Sequence, residues 1–106
     1  MQSLKKSQAF KDVYNHRRSV ANRLLVLYIK ENELGQNRLG VSVSKKVGSA
    51  VVRNRVKRLI KENFRQMPVA DSVGYDLVVV ARAPAAEADF YEIGESLANL
   101  LARQKI

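Results

Sequence analysis

The chain has 106 residues, 46% of them hydrophobic, and 19 Lys and Arg against 10 Asp and Glu give it a formal net charge of +9. This length predicts one domain over residues 1–106, and the absence of cysteine excludes disulfides and thiolate metal sites and favours the cytoplasm. The longest apolar run, Leu24–Ile29, is far shorter than the roughly 18 residues of a membrane span, and Met1–Phe10 lacks the apolar stretch of a signal peptide, so we expect no membrane partner.

The N-terminal part of the chain predicts a short helix followed by a strand. Ser7 is placed to cap this helix. Its apolar side follows the i, i+3, i+4 spacing and consists of Phe10, Val13 and Tyr14. The nearly continuous apolar sequence within residues 19–31 is too uniform for an amphipathic helix and predicts a single strand.

A second strand is predicted after a turn at Gly35. Residues 38–44 alternate strictly, with Leu39, Val41 and Val43 on one face and small or polar side chains on the other. Because this strand follows the first one after a short turn, we expect the two strands to form a hairpin.

The second half of the chain predicts two helices and one more strand. The first helix covers residues 50–66, with Ser49 as its N-cap, and ends before Pro68. A buried strand covers residues 75–81, and Ala83-Pro84 opens the last helix. The order α-β-β-α-β-α, with or without a fourth short strand, predicts an α+β fold, an α/β sandwich in which helices cover a small mixed sheet.

The positive charge is concentrated in one part of the chain. Residues 1–65 hold 16 basic and 4 acidic side chains, whereas residues 66–106 hold 3 and 6. On a helical wheel, the helix over residues 50–66 is apolar on one side and cationic on the other. Lys and Arg are good helix formers and charged faces often meet only water, but the near absence of compensating acids favours a surface for a polyanion.

The stretch Arg38–Arg65, with its Arg53-Asn54-Arg55 triplet at the start of a helix, closely resembles the signature of the bacterial ribonuclease P protein. The resemblance extends to residues 10–14, 19–23 and 76–84. It implies a fold like that of ribosomal protein S5 and a protein subunit that binds a catalytic RNA and the 5′ leader of precursor tRNA. The RNA subunit would then carry out leader removal, with Mg²⁺ bound mainly by RNA and none by the protein alone.

The resemblance, together with the cationic helix, predicts two sets of binding residues. The residues expected to bind the catalytic RNA and its phosphates are Lys45, Lys46, Arg53, Asn54, Arg55, Lys57, Arg58, Lys61 and Arg65. The residues expected to form a cleft for the leader are Phe10, Tyr14, Tyr28, Ser42 and Ser44. Aromatic rings can stack on unpaired bases, although Phe10 and Tyr14 could instead only hold the first helix on the sheet. Phe64 and Phe90 lie on core stripes and are expected to pack.

Protein-only catalysis is not expected. His16 is the only histidine, and acids such as Asp12, Asp71 and Asp76 are scattered without metal-ligand spacing. The expected partners are ribonuclease P RNA, one protein per RNA, and precursor tRNA, without DNA. Two alternatives remain: another RNA-binding protein, such as a ribosomal protein or RNA chaperone, and a DNA-binding regulator. The last fits worst, because a helix-turn-helix needs a preceding helix where a strand is predicted.

Overall fold

The computed structural model describes residues 2–68 and 74–106, which form one mixed sheet and three α-helices. The strands are β1 (Gln2–Ser3), β2 (Ser19–Ala21), β3 (Leu25–Glu31), β4 (Arg38–Ser42) and β5 (Tyr75–Ala81). The helices are α1 (Ser7–Asn15), α2 (Ala50–Arg65) and α3 (Phe90–Arg103), and a short 3₁₀ helix covers Ala83–Glu87. The predicted α+β class is therefore confirmed. No helix in the described part of the chain is both long and apolar enough to cross a bilayer.

The sheet has the strand order β1-β4-β5-β3-β2. Strand β5 lies between β3 and β4, antiparallel to the first and parallel to the second. The predicted hairpin is therefore wrong, because the strands that would form it are not neighbours. A connection through α2 brings β5 into the centre, where both faces of the strand are covered.

Helices cover the sheet on both faces. The odd-numbered side chains of β3 and β5 face α2 and α3 and form the larger core with Val56, Ile60 and Phe64, all fully buried. On the other face, α1 packs Val13 against Val78 and forms a smaller core. Phe64 and the half-buried Phe90 belong to the larger core, as predicted.

The predicted long strand is interrupted at Asn22. Its side-chain oxygen accepts hydrogen bonds from the backbone N–H groups of Leu24 and Leu25 at 3.3 and 3.1 Å, which makes a tight turn. Strands β2 and β3 therefore form an antiparallel pair rather than one strand. The following strand also ends two residues earlier than predicted, at Ser42.

The helix starts agree with the prediction in one case out of three. Ser49 caps α2 as expected, since its side chain accepts the N–H of Val52 at 3.4 Å. Ser7 is not a cap but the first residue of α1. The last helix begins at Phe90, where Asp89 and Glu92 form a capping box, because the segment opened by Ala83-Pro84 is a separate 3₁₀ helix.

Helices α2 and α3 cross closely at a buried polar contact. The side-chain amide of Asn63 donates to the carbonyl oxygens of Leu59 and Phe90, at 2.9 Å each. Gly94 lies so close to Asn63 that a Cβ there would collide with the amide. This crossing fixes α2 on the sheet and thereby determines which side of α2 faces solvent.

Candidate nucleic-acid interface

The solvent side of α2 carries a continuous set of cations, which we call the cationic face. Opposite the buried Val56, Ile60 and Phe64, it forms a shallow groove of about 340 Å³. The groove is lined by Asn54, Lys57, Arg58, Lys61, Glu62 and Arg65. The only acid in this lining is Glu62, whose carboxylate lies 3.8 Å from Nε of Arg58. An exposed pair of this kind contributes little, so the face keeps a strong positive charge.

Arg55 and Arg53 differ from the rest of the predicted set. The Arg55 guanidinium donates to the carbonyl oxygens of Ala86 and Ala88, which fixes the 3₁₀ helix against α2. Whether Arg55 also binds RNA stays a prediction. The Nε of Arg53 is buried and has no hydrogen-bond partner among the described residues. Such an orphaned donor is costly, so an external acceptor would stabilise it.

The two lysines predicted between β4 and α2 lie on a turn. Lys45 and Lys46 are both exposed, and Ser49, the N-cap of α2, follows three residues after Lys46. Because they extend the positive charge beyond the N-terminal end of α2, they can reach phosphates that the cationic face does not.

A second groove lies between α1 and the sheet, and we call it the aromatic groove. It has a volume of about 450 Å³. Its lining consists of Lys5, Ser7, Phe10, Lys11, Tyr14, Val41, Ser42, Val43 and Lys57. The ring centroids of Phe10 and Tyr14 are 6.4 Å apart, and both side chains are half-buried. The groove therefore presents partly exposed ring surface between cationic side chains.

The two tyrosines of the predicted cleft have different positions. The rings of Tyr28 and Tyr14 form a T-shaped pair with centroids 4.8 Å apart, but Tyr28 does not line the groove itself. Burial raises the pKa of Tyr14, and a hydrogen bond with the Ser42 side chain offsets this in part. The Tyr14 phenol is therefore neutral near pH 7 and held in place by Ser42 and Tyr28. Ser44 is exposed and lies outside the groove lining.

Two cationic residues of the lining were not predicted from the sequence. Lys5 and Lys11 line the aromatic groove, while Lys57 lines both this groove and the cationic face. Lys11 could have been found, because it follows Phe10 and precedes Tyr14 by three residues on the same helix. Lys57 joins the two grooves, which gives one continuous positive surface with two kinds of chemistry.

The described residues contain no group of three or more His, Cys, Asp or Glu side chains that could hold a metal ion. His16 is exposed at the end of α1. Asp76 is occupied by Arg38, which donates to both carboxylate oxygens at 2.8 and 2.6 Å. Asp71 lies outside the described residues. The absence of protein-based catalysis stays a prediction.

Comparison with known proteins decides the family. The sequence model of the family Ribonuclease P matches residues 1–105. The chain belongs to the ribonuclease P protein family. The ribonuclease P protein component of Caldanaerobacter subterraneus subsp. tengcongensis is 54% identical over 98 residues, which are 92% of this chain and 84% of that protein. The corresponding protein of Thermoanaerobacter pseudethanolicus is 49% identical with the same coverage of both chains.

Solved structures of the same family have the same fold. The RNase P protein of Staphylococcus aureus superposes with a TM-score of 0.89 and 41% identity, over 100% of this chain and 97% of that one. The Thermotoga maritima protein gives a TM-score of 0.85 and 31% identity, with 97% of each chain covered. The predicted family resemblance is therefore confirmed.

Proposed function

We propose that this chain acts as the protein subunit of ribonuclease P and aids removal of the 5′ leader from precursor tRNA. The cationic face binds the catalytic RNA, and the aromatic groove binds the unpaired leader. The observation that carries this division is the meeting of the two grooves at Lys57. A leader that leaves the active site of the RNA can continue into the aromatic groove without leaving the positive surface.

The two grooves suit different parts of RNA. Folded RNA presents closely spaced phosphates, which Arg side chains bind in a bidentate manner and Lys side chains bind as point charges. Single-stranded RNA also offers the faces of its bases, and stacking on an aromatic side chain contributes about 1–3 kcal/mol per base. Phe10 and Tyr14 supply rings, while Lys5 and Lys11 can follow the leader backbone. The buried Nε of Arg53 would gain a phosphate acceptor on assembly.

The chemistry belongs to the RNA subunit in this proposal. Mg²⁺ ions would be held mainly by RNA, and they would supply the activated water and stabilise the leaving oxygen. The protein contributes positive charge, which reduces the repulsion between leader and catalytic RNA and so lowers the Mg²⁺ concentration that the reaction requires. We further propose one protein per RNA and a cytoplasmic location, where tRNA precursors are made.

A reconstitution assay tests the proposal. The chain is added to a bacterial ribonuclease P RNA, and release of the leader from precursor tRNA is followed at low Mg²⁺. We expect the chain to accelerate cleavage at the mature 5′ end well above the RNA alone, and the protein without RNA to leave the substrate intact. No acceleration at any Mg²⁺ concentration would contradict the subunit function, and cleavage by protein alone would contradict the assignment of chemistry to RNA.

The alternative of a general RNA chaperone makes a different prediction in the same assay. A chaperone would bind structured RNAs without a leader as well as it binds precursor tRNA. The aromatic groove favours the subunit function, because partly exposed ring surface suits stacking on the faces of unpaired bases. Competition with leaderless tRNA distinguishes the two: equal competition by both RNAs would favour the chaperone.

A further inference from the structure

The outer edge of the sheet opposite β1 and β4 is covered by arginine side chains. Strand β2 is the edge strand there. Arg103, from the last turn of α3, donates to the carbonyl oxygen of Ala21 at 2.8 Å. Arg82, which follows β5, donates to the carbonyl oxygen of Asn22 at 2.7 Å. Two arginines that are distant in sequence therefore converge on β2 and the turn after it.

Arg18 continues this arrangement at the other end of β2. Its Nε donates to the side-chain oxygen of Gln104 at 2.9 Å, and its Nη2 donates to the backbone oxygen of the same residue at 3.3 Å. Arg17 and Lys105 are exposed immediately beside this pair in sequence. The cations therefore extend along the whole of β2, and we call Arg18, Arg82 and Arg103 the edge arginines.

No ion pair within residues 2–68 and 74–106 neutralises the charge of the edge arginines. The ion pairs among the described residues are Arg38 with Asp76 and Arg58 with Glu62, and neither involves this edge. Glu92 and Glu95 line a neighbouring groove with Asn22 and Arg23, but neither forms an ion pair with an edge arginine among the described residues. Since a guanidinium has five N–H donors and each edge arginine uses one or two, most donors remain available.

The contacts to backbone oxygens hold these guanidinium groups in fixed positions. An arginine that is already ordered loses less side-chain entropy on binding, so it binds a phosphate more favourably than a free surface side chain. Charged side chains also protect an edge strand from pairing with another chain, which explains a cation here but not three ordered arginines without a carboxylate. Phosphate oxygens match the planar fork of a guanidinium.

We propose that the edge arginines form a second phosphate-binding surface for RNA, separate from the cationic face and the aromatic groove. Helix α2 lies over the β4 side of the sheet and α3 over the β2 side, so the edge arginines and the cationic face are on opposite flanks of the molecule. Its ligand is an RNA phosphodiester backbone, supplied by either the catalytic RNA or the body of tRNA. With two flanks that bind phosphates, the protein would lie between two RNA segments.

The double variant Arg82→Gln/Arg103→Gln tests this proposal against a control that loses two cations elsewhere, Lys6→Gln/Lys30→Gln. Affinity is measured between 0.1 and 0.4 M salt in two arms, with ribonuclease P RNA alone and with mature tRNA bound to the assembled holoenzyme. Loss of two phosphate contacts should reduce the slope of log K against log salt by about 1.5 in one arm. The arm that changes identifies the RNA segment; slopes equal to those of the control in both arms would overturn the proposal.

A measurement on the unaltered protein covers the case in which the double variant does not fold. Arginines are modified with phenylglyoxal in the presence and absence of each RNA, and modified peptides are quantified by mass spectrometry. We expect RNA to protect Arg82 and Arg103 several-fold. Equal modification of both residues with and without either RNA would also overturn the proposal.

Discussion

Gly40 determines how deeply Phe10 lies in the aromatic groove. A Cβ at position 40 would lie 2.6 Å from Cζ and 2.8 Å from Cε1 of Phe10, and 3.2 Å from Cβ of Leu4. Real side chains do not approach so closely, so any larger residue would push the ring outward. The glycine is therefore required because the ring of Phe10 packs directly on the backbone of β4.

We expect Gly40→Ala to destabilise the chain by about 1–3 kcal/mol, because the added methyl group overpacks the contact with Phe10. Thermal melting of four proteins checks this: the unaltered chain, Gly40→Ala, Phe10→Leu and the double variant. The smaller leucine should accommodate the methyl group, so the second substitution should cost less in the Gly40→Ala background. Strictly additive melting shifts would show that the ring does not depend on Gly40.

At the scale of elements, the sequence predicts where helices and strands lie better than which of them are neighbours. Residues 75–81 form the predicted strand, and α2 differs by one residue from its prediction. The predicted hairpin is wrong because the alternation in β4 specifies which face of the strand is buried, but not which strand pairs with it. Nothing local to β4 shows that a strand more than thirty residues later takes that place.

The errors at element ends have local causes. Asn22 ends a strand because its side chain accepts hydrogen bonds from two backbone N–H groups of a turn. The apolar residues around Asn22 give no sign of this contact in the sequence.

In the candidate site, the sequence predicts Phe10, Tyr14 and Ser42 because their residue types alone indicate their chemistry. Lys5 and the shared position of Lys57 depend on how α1 and α2 are placed around the sheet, which periodicity does not specify.

The ion pair of Asp76 and Arg38 joins the central strand to its neighbour. Burial alone would raise the pKa of Asp76, but hydrogen bonds from Arg38 and Asn32 outweigh it, and the pKa lies below its usual value. A lowered pKa in the folded state stabilises the protein above the unfolded value, about 3.9 for Asp, and this contribution is lost as pH falls through the folded value.

We expect Asp76→Asn to lower stability at pH 7. It should also reduce the dependence of stability on pH below about 4, where this carboxylate takes up a proton in the unfolded state of the unaltered chain before it does so in the folded state. Urea unfolding from pH 7 to pH 2.5 measures both effects. Arg38→Gln provides a partner variant, since it leaves the carboxylate buried without its guanidinium, and it should also lower stability at pH 7. Parallel stability curves for Asp76→Asn and the unaltered chain would contradict the pKa assignment.

For the molecule as a whole, the uneven charge has a spatial meaning. Residues 1–65, the basic part of the sequence, supply α1, β4 and α2, and these elements together form the two adjoining grooves. Like charges on one helix repel each other, and the cationic face contains one acid to relieve this. An RNA partner removes the repulsion, so the charge pattern fits a protein that works as part of a ribonucleoprotein.

The two grooves should be separable by single substitutions. Tyr14→Ala removes a ring that lines only the aromatic groove, and Lys61→Ala removes a cation that lines only the cationic face. We expect Tyr14→Ala to weaken holoenzyme affinity for precursor tRNA about 10-fold, or on the order of 1.4 kcal/mol, while affinity for mature tRNA barely changes. Lys61→Ala should weaken binding of the catalytic RNA and reduce its salt slope by almost one unit.

Lys57 provides the sharpest test of this division, because it lines both grooves. Lys57→Ala should weaken binding of the catalytic RNA. In holoenzyme assembled at saturating protein, it should also reduce the affinity for precursor tRNA more than the affinity for mature tRNA.

Tyr14→Phe keeps the ring and should retain most of the leader affinity, which separates stacking from the hydrogen bond with Ser42. Circular dichroism and thermal melting must show that each variant is folded. If Tyr14→Ala weakens binding of precursor and mature tRNA equally, the aromatic groove does not bind the leader, and its rings serve only to hold α1 on the sheet.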